Sequence, residues 1–285
     1  MISFLLTIYS FFLPSIKLES SRQISLNGNG PPVLFHTGLF GSMPNLLYND
    51  LINNIKKNVT LISFKDNFPI TINDIEDVAN SLSVKSIGFI SHSSFNIDIL
   101  NSDKINSAVL CDPIVIPEFS VNGLLPKSVQ TKAPIYIIKA EKTYDSKIEL
   151  PSYQIPEIIG NCTYEIYNNV GHLDLLDDVW ANLGKKTNFW EGTKGPLTDF
   201  KNWKFDKNSI GKSYLNKENR KKYRNHISNT ALSFILNSDQ YFNEFDQNKF
   251  DENKFDKNKF DIINNEYKKI EDVLDIDIDI DKYSY

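Results

Sequence analysis

The chain has few of the residues that hold small or metal-bound proteins together. It contains 2 cysteines, Cys111 and Cys162, and 4 histidines among 285 residues. Two cysteines do not build a disulfide framework, and they read as small buried side chains. No Cys/His grouping has metal-ligand spacing, and neither a metal nor an organic cofactor is implied. Positive charge is not in excess: 31 Lys plus Arg stand against 36 Asp plus Glu, a net charge of −5 that gives no basis for nucleic-acid binding. The uncharged, mostly apolar run Ile2 to Leu13 has 12 residues, too short to span a bilayer comfortably. Its length suits a signal-peptide core, yet no Lys or Arg precedes it and no small-x-small cleavage site follows. Residues 1–20 therefore stay open between a signal segment, membrane association through residues 2–13, and a packed N-terminal element. Secretion or membrane attachment against a cytoplasmic location stays open with them. The sequons at Asn58 and Asn161 would matter only on a secreted chain.

What is present reads as soluble and globular, with 41% hydrophobic and 24% charged residues and enough length for a substantial core. The charge is uneven. Residues 237–285 carry 14 Asp plus Glu against 7 Lys, or −7, so the preceding residues carry −5 minus −7, or +2. That acidic stretch holds "FDQNKFDENKFDKNKFD", Phe245 to Asp261, a five-residue repeat F-D-x-N-K. Period five keeps its Phe side chains on no constant face of a helix or strand. Residues 237–285 read as a separate low-complexity, disordered tail, and a sticker for a protein partner is its functional reading. "DIDIDID", Asp275 to Asp281, alternates as an edge strand would, but its charge opposes pairing.

Residues 21–236 read as one domain. Residues 20–32 are polar and Gly/Pro-rich, a linker or turn region. Apolar runs follow at Pro32–Phe35, Val59–Phe64, Ile87–Ile90, Ala108–Cys111, Ile135–Ile138 and Tyr164–Tyr167, as expected of parallel strands buried on both faces. Helix-like segments lie between them. "NLLYNDLINNIKK" places Leu46, Leu47, Leu51, Ile52 and Ile55 on one face, and "TINDIEDVANSL" opens on Thr71. Residues 213–236 read as a terminal helix, basic first and apolar last. The alternation predicts an α/β, doubly wound, mostly parallel sheet flanked by helices.

Three stretches could carry chemistry. In "SIGFISHSSFN", a strand ends among three serines. A nucleophilic serine on a sharp strand-to-helix turn needs small residues two before and two after it, because strand and helix cross closely there. Ser93 has Ser91 two before and His92 immediately before. Phe95, two after, does not fit, and Ser91 and Ser94 fit worse. "FHTGLFGS", residues 35–42, follows the first apolar strand, and its Gly38 lets the backbone turn so that the Leu39 amide can face an oxyanion with the Ser94 amide. "NNVGHLDLLDD", residues 168–178, follows the last strand and places His172 where a base would reach Ser93. For the acid, an Asp or Glu after the "IYII" strand would be Glu141 or Asp145; Asp112 in "AVLCDPI" lies one strand earlier.

Taken together, "HTGLF", "SHSSF", "AVLCDPI" and "VGHLDLLDD" resemble the chlorophyllase branch of the α/β-hydrolase superfamily. The last motif, with Gly171, His172, Asp174, Leu176, Asp177 and Asp178, is the nearest match. The resemblance covers residues 32–236 and no part of the tail. It implies an α/β-hydrolase-like fold and a serine ester hydrolase, chlorophyllase-like or lipase/esterase-like, acting on an apolar carboxylic ester. It favours Asp112 as the acid, with Asp145 as the alternative, so that Ser93, His172 and Asp112 form the catalytic triad. Asp174, Asp177 and Asp178 are expected to cap the next helix or brace the His172 loop. Residues 115–129 could form a lid and residues 187–205 an aromatic pocket wall. Only 19 residues separate Ser93 from Asp112, so the helix between them, Ser94 to Asn101, must be short. The alternative reading is a catalytically decayed hydrolase fold acting as a binding or interaction protein. Phe95, the short helix after Ser93 and the acidic repeat tail motivate it, and on the close-crossing argument Phe95→Gly should leave activity unchanged or raise it.

Overall fold

The computed structural model describes residues 15–38, 47–66, 68–115, 129, 131–144, 159, 162–186 and 213–237. The strands are β1 (Ser15–Lys17), β2 (Gln23–Asn27), β3 (Pro32–His36), β4 (Thr60–Phe64), β5 (Ile87–Phe95), β6 (Ile105–Val115), β7 (Ile135–Ala140) and β8 (Cys162–Tyr167). The helices are α1 (Asn49–Ile55), α2 (Ile72–Ser81), α3 (Glu141–Tyr144), α4 (Asp178–Lys186) and α5 (Lys217–Asn237). One eight-stranded sheet runs in the order β1-β2-β4-β3-β5-β6-β7-β8. Pairing is antiparallel from β1 to β2 and from β2 to β4, and parallel everywhere else. This is the α/β-hydrolase-like, mostly parallel architecture expected. The order reverses between β3 and β5, and in open α/β sheets the crevice outside the carboxyl ends of strands at such a reversal is where ligands bind.

The central strands are buried along both faces, so every residue of β3 and β4 is inaccessible. Val33, Phe35, Ile90, Val109 and Ile138 share one core with Leu51 and Ile55 of α1 and with Ile227 and Ile235 of α5. Each such side chain contributes roughly 1.5–3 kcal/mol by leaving water. Helix α2 begins with a capping box, in which the Thr71 hydroxyl accepts from the Asp74 amide and the Asp74 carboxylate accepts from the Thr71 amide.

Besides β8, which is mostly exposed, with Tyr164 and Ile166 open to solvent instead of buried on both faces, three stretches depart from the sequence reading. The stretch taken as a linker contains β2, and β1 lies within residues 1–20. "QISLN" has only Ile24 and Leu26 as apolar residues, and its remaining burial is polar: Ser25 Oγ lies 2.8 Å from Ser63 Oγ across the β2–β4 pair. The hairpin is also held by Arg22, which bonds Asp66 and Asp74 and lies 4.0 Å over the Phe64 ring. In α5 the basic residues are not all on the surface. Arg220, Tyr223, Arg224, Ile227, Ala231 and Ile235 follow one buried stripe at helical spacing. The third departure is at β5, which continues past Ile90 to Phe95. A single 3₁₀ turn, Ile97–Asn101, then leads to β6.

That continuation changes the meaning of Phe95. It is a strand residue paired with Val115, fully buried, with its ring centroid 6.4 Å from Phe89. No α-helix starts at Ser94, so the close crossing that demands a small side chain does not occur there. The expectation for Phe95→Gly is accordingly withdrawn. Phe95→Ala should instead lower unfolding stability by about 3–5 kcal/mol in urea titration, the usual cost of emptying a buried aromatic site. A loss under about 1 kcal/mol would show that Phe95 is not part of the core.

Candidate active site

After a first shift between Ile87 and Gly88, the ladder between β5 and β6 is regular from Gly88↔Ser107 to His92↔Cys111 and resumes at Ser94↔Ile114. Ser93 therefore faces two residues, Asp112 and Pro113, and β6 bulges. A central strand can hold Pro113 only at such a break, because proline brings no N–H to the ladder. Both residues at the break have left-handed backbones, with φ of 70° at Ser93 and 40° at Asp112. Non-glycine residues in this region cost on the order of 1–3 kcal/mol each when the surroundings impose the conformation, and an Asp sits there more readily than most. The gain is direction. Both side chains reach the same histidine ring.

His172 comes from the loop after β8. It starts a 3₁₀ turn, His172–Leu175, behind a turn in which Asn169 has a φ of 60°. The buried ring has Nε2 2.9 Å from Ser93 Oγ and Nδ1 2.6 Å from Asp112 Oδ2. An ionised carboxylate only accepts, so in the neutral ring Nδ1 carries the proton and Nε2 accepts from the Ser93 hydroxyl. The other oxygen of Asp112 accepts from the Ala140 amide at 3.0 Å, which fixes the carboxylate against the end of β7. The structure thus brings Ser93, His172 and Asp112 into one hydrogen-bonded series. Asp145 lies outside the described residues. The Glu141 carboxylate accepts from the Asn169 amide and pairs with Lys142.

Three aspartates after His172 hold its loop. Asp174 is fully buried and accepts from the Gly171 amide at 2.8 Å, from the Tyr214 and Leu215 amides and from the Ser213 hydroxyl. Asp177 accepts from the Asn49 and Asp50 amides at 2.6 and 3.1 Å, tying the loop to the start of α1. Burial and the neighbouring Asp50 charge push its carboxyl up to about 7, against those two amides and Arg224. Asp178 opens α4 and pairs with the buried guanidinium groups of Arg220 and Arg224 at 2.9 and 3.2 Å. Bracing is their shared role, and Asp178 alone stands at the head of the next helix.

On the other side of Ser93, Gly38 has a φ of +60°, and a Cβ there would lie 3.0 Å from the Ser94 amide nitrogen and 3.1 Å from Ser93 Cβ. Only glycine combines that backbone with that approach. His36, at the end of β3, is buried and bonds the Ser94 backbone; burial is the main cause that pushes its pKa down to about 4, so the ring is neutral near pH 7. Leu39 lies outside the described residues. So do residues 1–14, 187–205 and 238–285, and 115–129 apart from the Val115 backbone and Val129. Sequence reasoning missed His36, Tyr48 and His92. His36 and His92 stand inside the quoted motifs, and their only signal was histidine itself in a chain with 4.

No protein-family model matches the chain, and no curated protein matches it. Several solved structures do. An alpha/beta fold family hydrolase from Bacillus anthracis str. Sterne is 13% identical, with a TM-score of 0.41, over 58% of this chain and 94% of that one. Naproxen esterase (carboxylesterase NP) from Bacillus subtilis is 13% identical, with a TM-score of 0.43, over 64% and 95%. A membrane phospholipase A is 11% identical, with a TM-score of 0.44, over 61% and 85%. At these levels of similarity the chemistry of this chain is read from its own side chains.

Proposed function

We propose that the chain is a serine ester hydrolase of the α/β-hydrolase superfamily, with Ser93 as nucleophile, His172 as general base and Asp112 as the acid. The observation that carries this reading is the series Ser93 Oγ–His172 Nε2 at 2.9 Å and His172 Nδ1–Asp112 Oδ2 at 2.6 Å, at the carboxyl ends of β5 and β6. Ser93 Oγ attacks the ester carbonyl carbon while its proton passes to His172 Nε2. Asp112 holds the imidazolium that forms. The tetrahedral oxyanion takes bonds from the Leu39 and Ser94 amides, with Gly38 supplying the turn. Collapse breaks the bond to the alkoxy group, which leaves with the proton from His172. Water, deprotonated by His172, then attacks the acyl-enzyme and frees Ser93 and the acid.

The substrate class in this reading is an apolar carboxylic ester, and the branch is chlorophyllase-like. The branch rests on "AVLCDPI" and "VGHLDLLDD", and the bond from Asp112 to His172 supports the acid assignment those motifs imply. The rival reading, a decayed fold acting as a binding protein, drew on Phe95, on the short helix after Ser93 and on the acidic tail, which lies outside the described residues. A core strand residue lends it no support.

A fluorophosphonate probe tests the reading. Wild type should be labelled and should hydrolyse a p-nitrophenyl ester, and Ser93→Ala should do neither; an unlabelled wild type would sink the proposal. Asp112→Asn keeps the volume but turns the His172 tautomer around, and ester turnover should fall on the order of 10³–10⁴-fold. Turnover within about tenfold of wild type would move the acid elsewhere, with Asp145 the next to mutate. Gly38→Ala should cost on the order of 10²-fold or more in kcat by displacing the oxyanion donors. Unchanged kcat in a folded Gly38→Ala protein would remove this turn from the mechanism.

A further inference from the structure

His92 stands directly before Ser93, and its ring lies flat against the His172 ring, with centroids 4.5 Å apart and planes 26° from parallel. Its Nε2 is 3.1 Å from the backbone carbonyl oxygen of His172, and its Nδ1 is 2.5 Å from the Tyr48 hydroxyl. A carbonyl only accepts, so Nε2 carries the proton and Nδ1 accepts from Tyr48. Both ring nitrogens are occupied. Tyr48 is itself fixed: it is buried just before α1, edge-on to Phe35 at 5.3 Å and to His92 at 5.5 Å. Burial first, and the neighbouring His172 second, push the pKa of His92 well below the usual histidine range. The ring stays neutral beside one that must become charged.

We propose that His92, locked by the Tyr48 hydroxyl, is a positioning residue for His172. The proposal rests on the triad reading. Two contacts do the positioning. The bond to the His172 carbonyl pins the backbone from which the base projects, and the stacked ring closes one face of the imidazole to water. His172 is then held in the plane that joins Asp112 Oδ2 to Ser93 Oγ. Without the wall, water at the open face stabilises the imidazolium and competes for Nε2. The base then becomes both harder to deprotonate and less well aimed. Other titratable groups surround this assembly: Asp112 bonds His172, Cys111 and Asp177 act on Tyr48, and Tyr223 of α5 lies within the influence of Asp112, Asp174 and Tyr167. All of them are unchanged in the variants below, so a shift reads the His92 contact.

The test follows the rate of fluorophosphonate labelling against pH in the full chain, with ¹⁵N NMR of the four histidine rings. Ser93→Ala controls for labelling at the nucleophile. Wild-type His92 should be the Nε2–H tautomer. His92→Gln keeps a donor for the carbonyl and loses the wall. Its labelling should slow between about ten- and a hundredfold, and the midpoint of the acid limb, with the His172 titration, should rise by about half a pH unit or more. His92→Phe keeps the wall and loses the donor; its rate should fall while the midpoint stays near wild type. Tyr48→Phe covers the case in which His92 variants fail to fold: labelling should slow while His92 keeps the Nε2–H tautomer that the His172 carbonyl fixes. His92→Gln labelled at the wild-type rate with an unmoved midpoint would overturn the proposal while leaving the triad standing. So would a wild-type labelling rate in Tyr48→Phe. An unlabelled wild type overturns the triad and this proposal together.

Discussion

Between His92 and Ser94 the ladder joining β5 to β6 loses one step, and one residue faces two. In an unbroken ladder Ser93 would pair with Asp112, and both side chains would stand upright on the sheet face opposite that of His92 and Cys111. The bulge, with left-handed backbone at both residues, turns the two side chains to a common partner instead. Proline at 113 helps to make that break permanent, since its residue offers no N–H to restore the ladder. The length of β6 beyond the break, the pairing of Phe95 with Val115 and the absence of an α-helix at Ser94 all follow from a β5 that continues through the turn rather than ending there.

The remaining energetic problem is polar burial. His36, His92, His172, Asp112, Asp174, Arg220 and Arg224 are all withdrawn from water. Each is tolerable only with partners. The aspartates after His172 answer this in different ways. Asp174 saturates its oxygens with amides and a hydroxyl, Asp177 with the free amides at the start of α1, and Asp178 with two guanidinium groups. The result is a histidine loop anchored to α1, to residues 213–215 and to α5. The His172 ring is thereby held within hydrogen-bond reach of a serine 79 positions away in sequence.

How much of this was legible depended on how each residue is held. Strands buried on both faces wrote themselves as apolar runs, so β3 to β7 were readable from composition alone. β2 was not, because half of its buried residues are serine and asparagine, with Ser25 satisfied by Ser63 across the sheet. The buried arginines of α5 were not, because a guanidinium stripe looks like a solvated face until its carboxylate partners are known. At the site, the order Ser93, Asp112, His172 and the glycine at 38 were readable, since chain order and turn chemistry are local. The left-handed backbone at Ser93 and Asp112 and the Tyr48–His92–His172 contacts were not. They join residues 44 and 80 positions apart, and no local pattern marks them.

The central claim is that, of the three serines in "SHSSF", the one at the break in the ladder is the nucleophile. Among the described residues the buried hydroxyls of Ser91 and Ser94 have no hydrogen-bond partner, whereas Ser93 bonds His172. Fragment mass spectrometry of the protein after reaction with a fluorophosphonate locates the adduct directly. A phosphonyl group on Ser93 alone is the predicted result; a group on Ser91 or Ser94, or no adduct in the segment 91–95, would contradict the account.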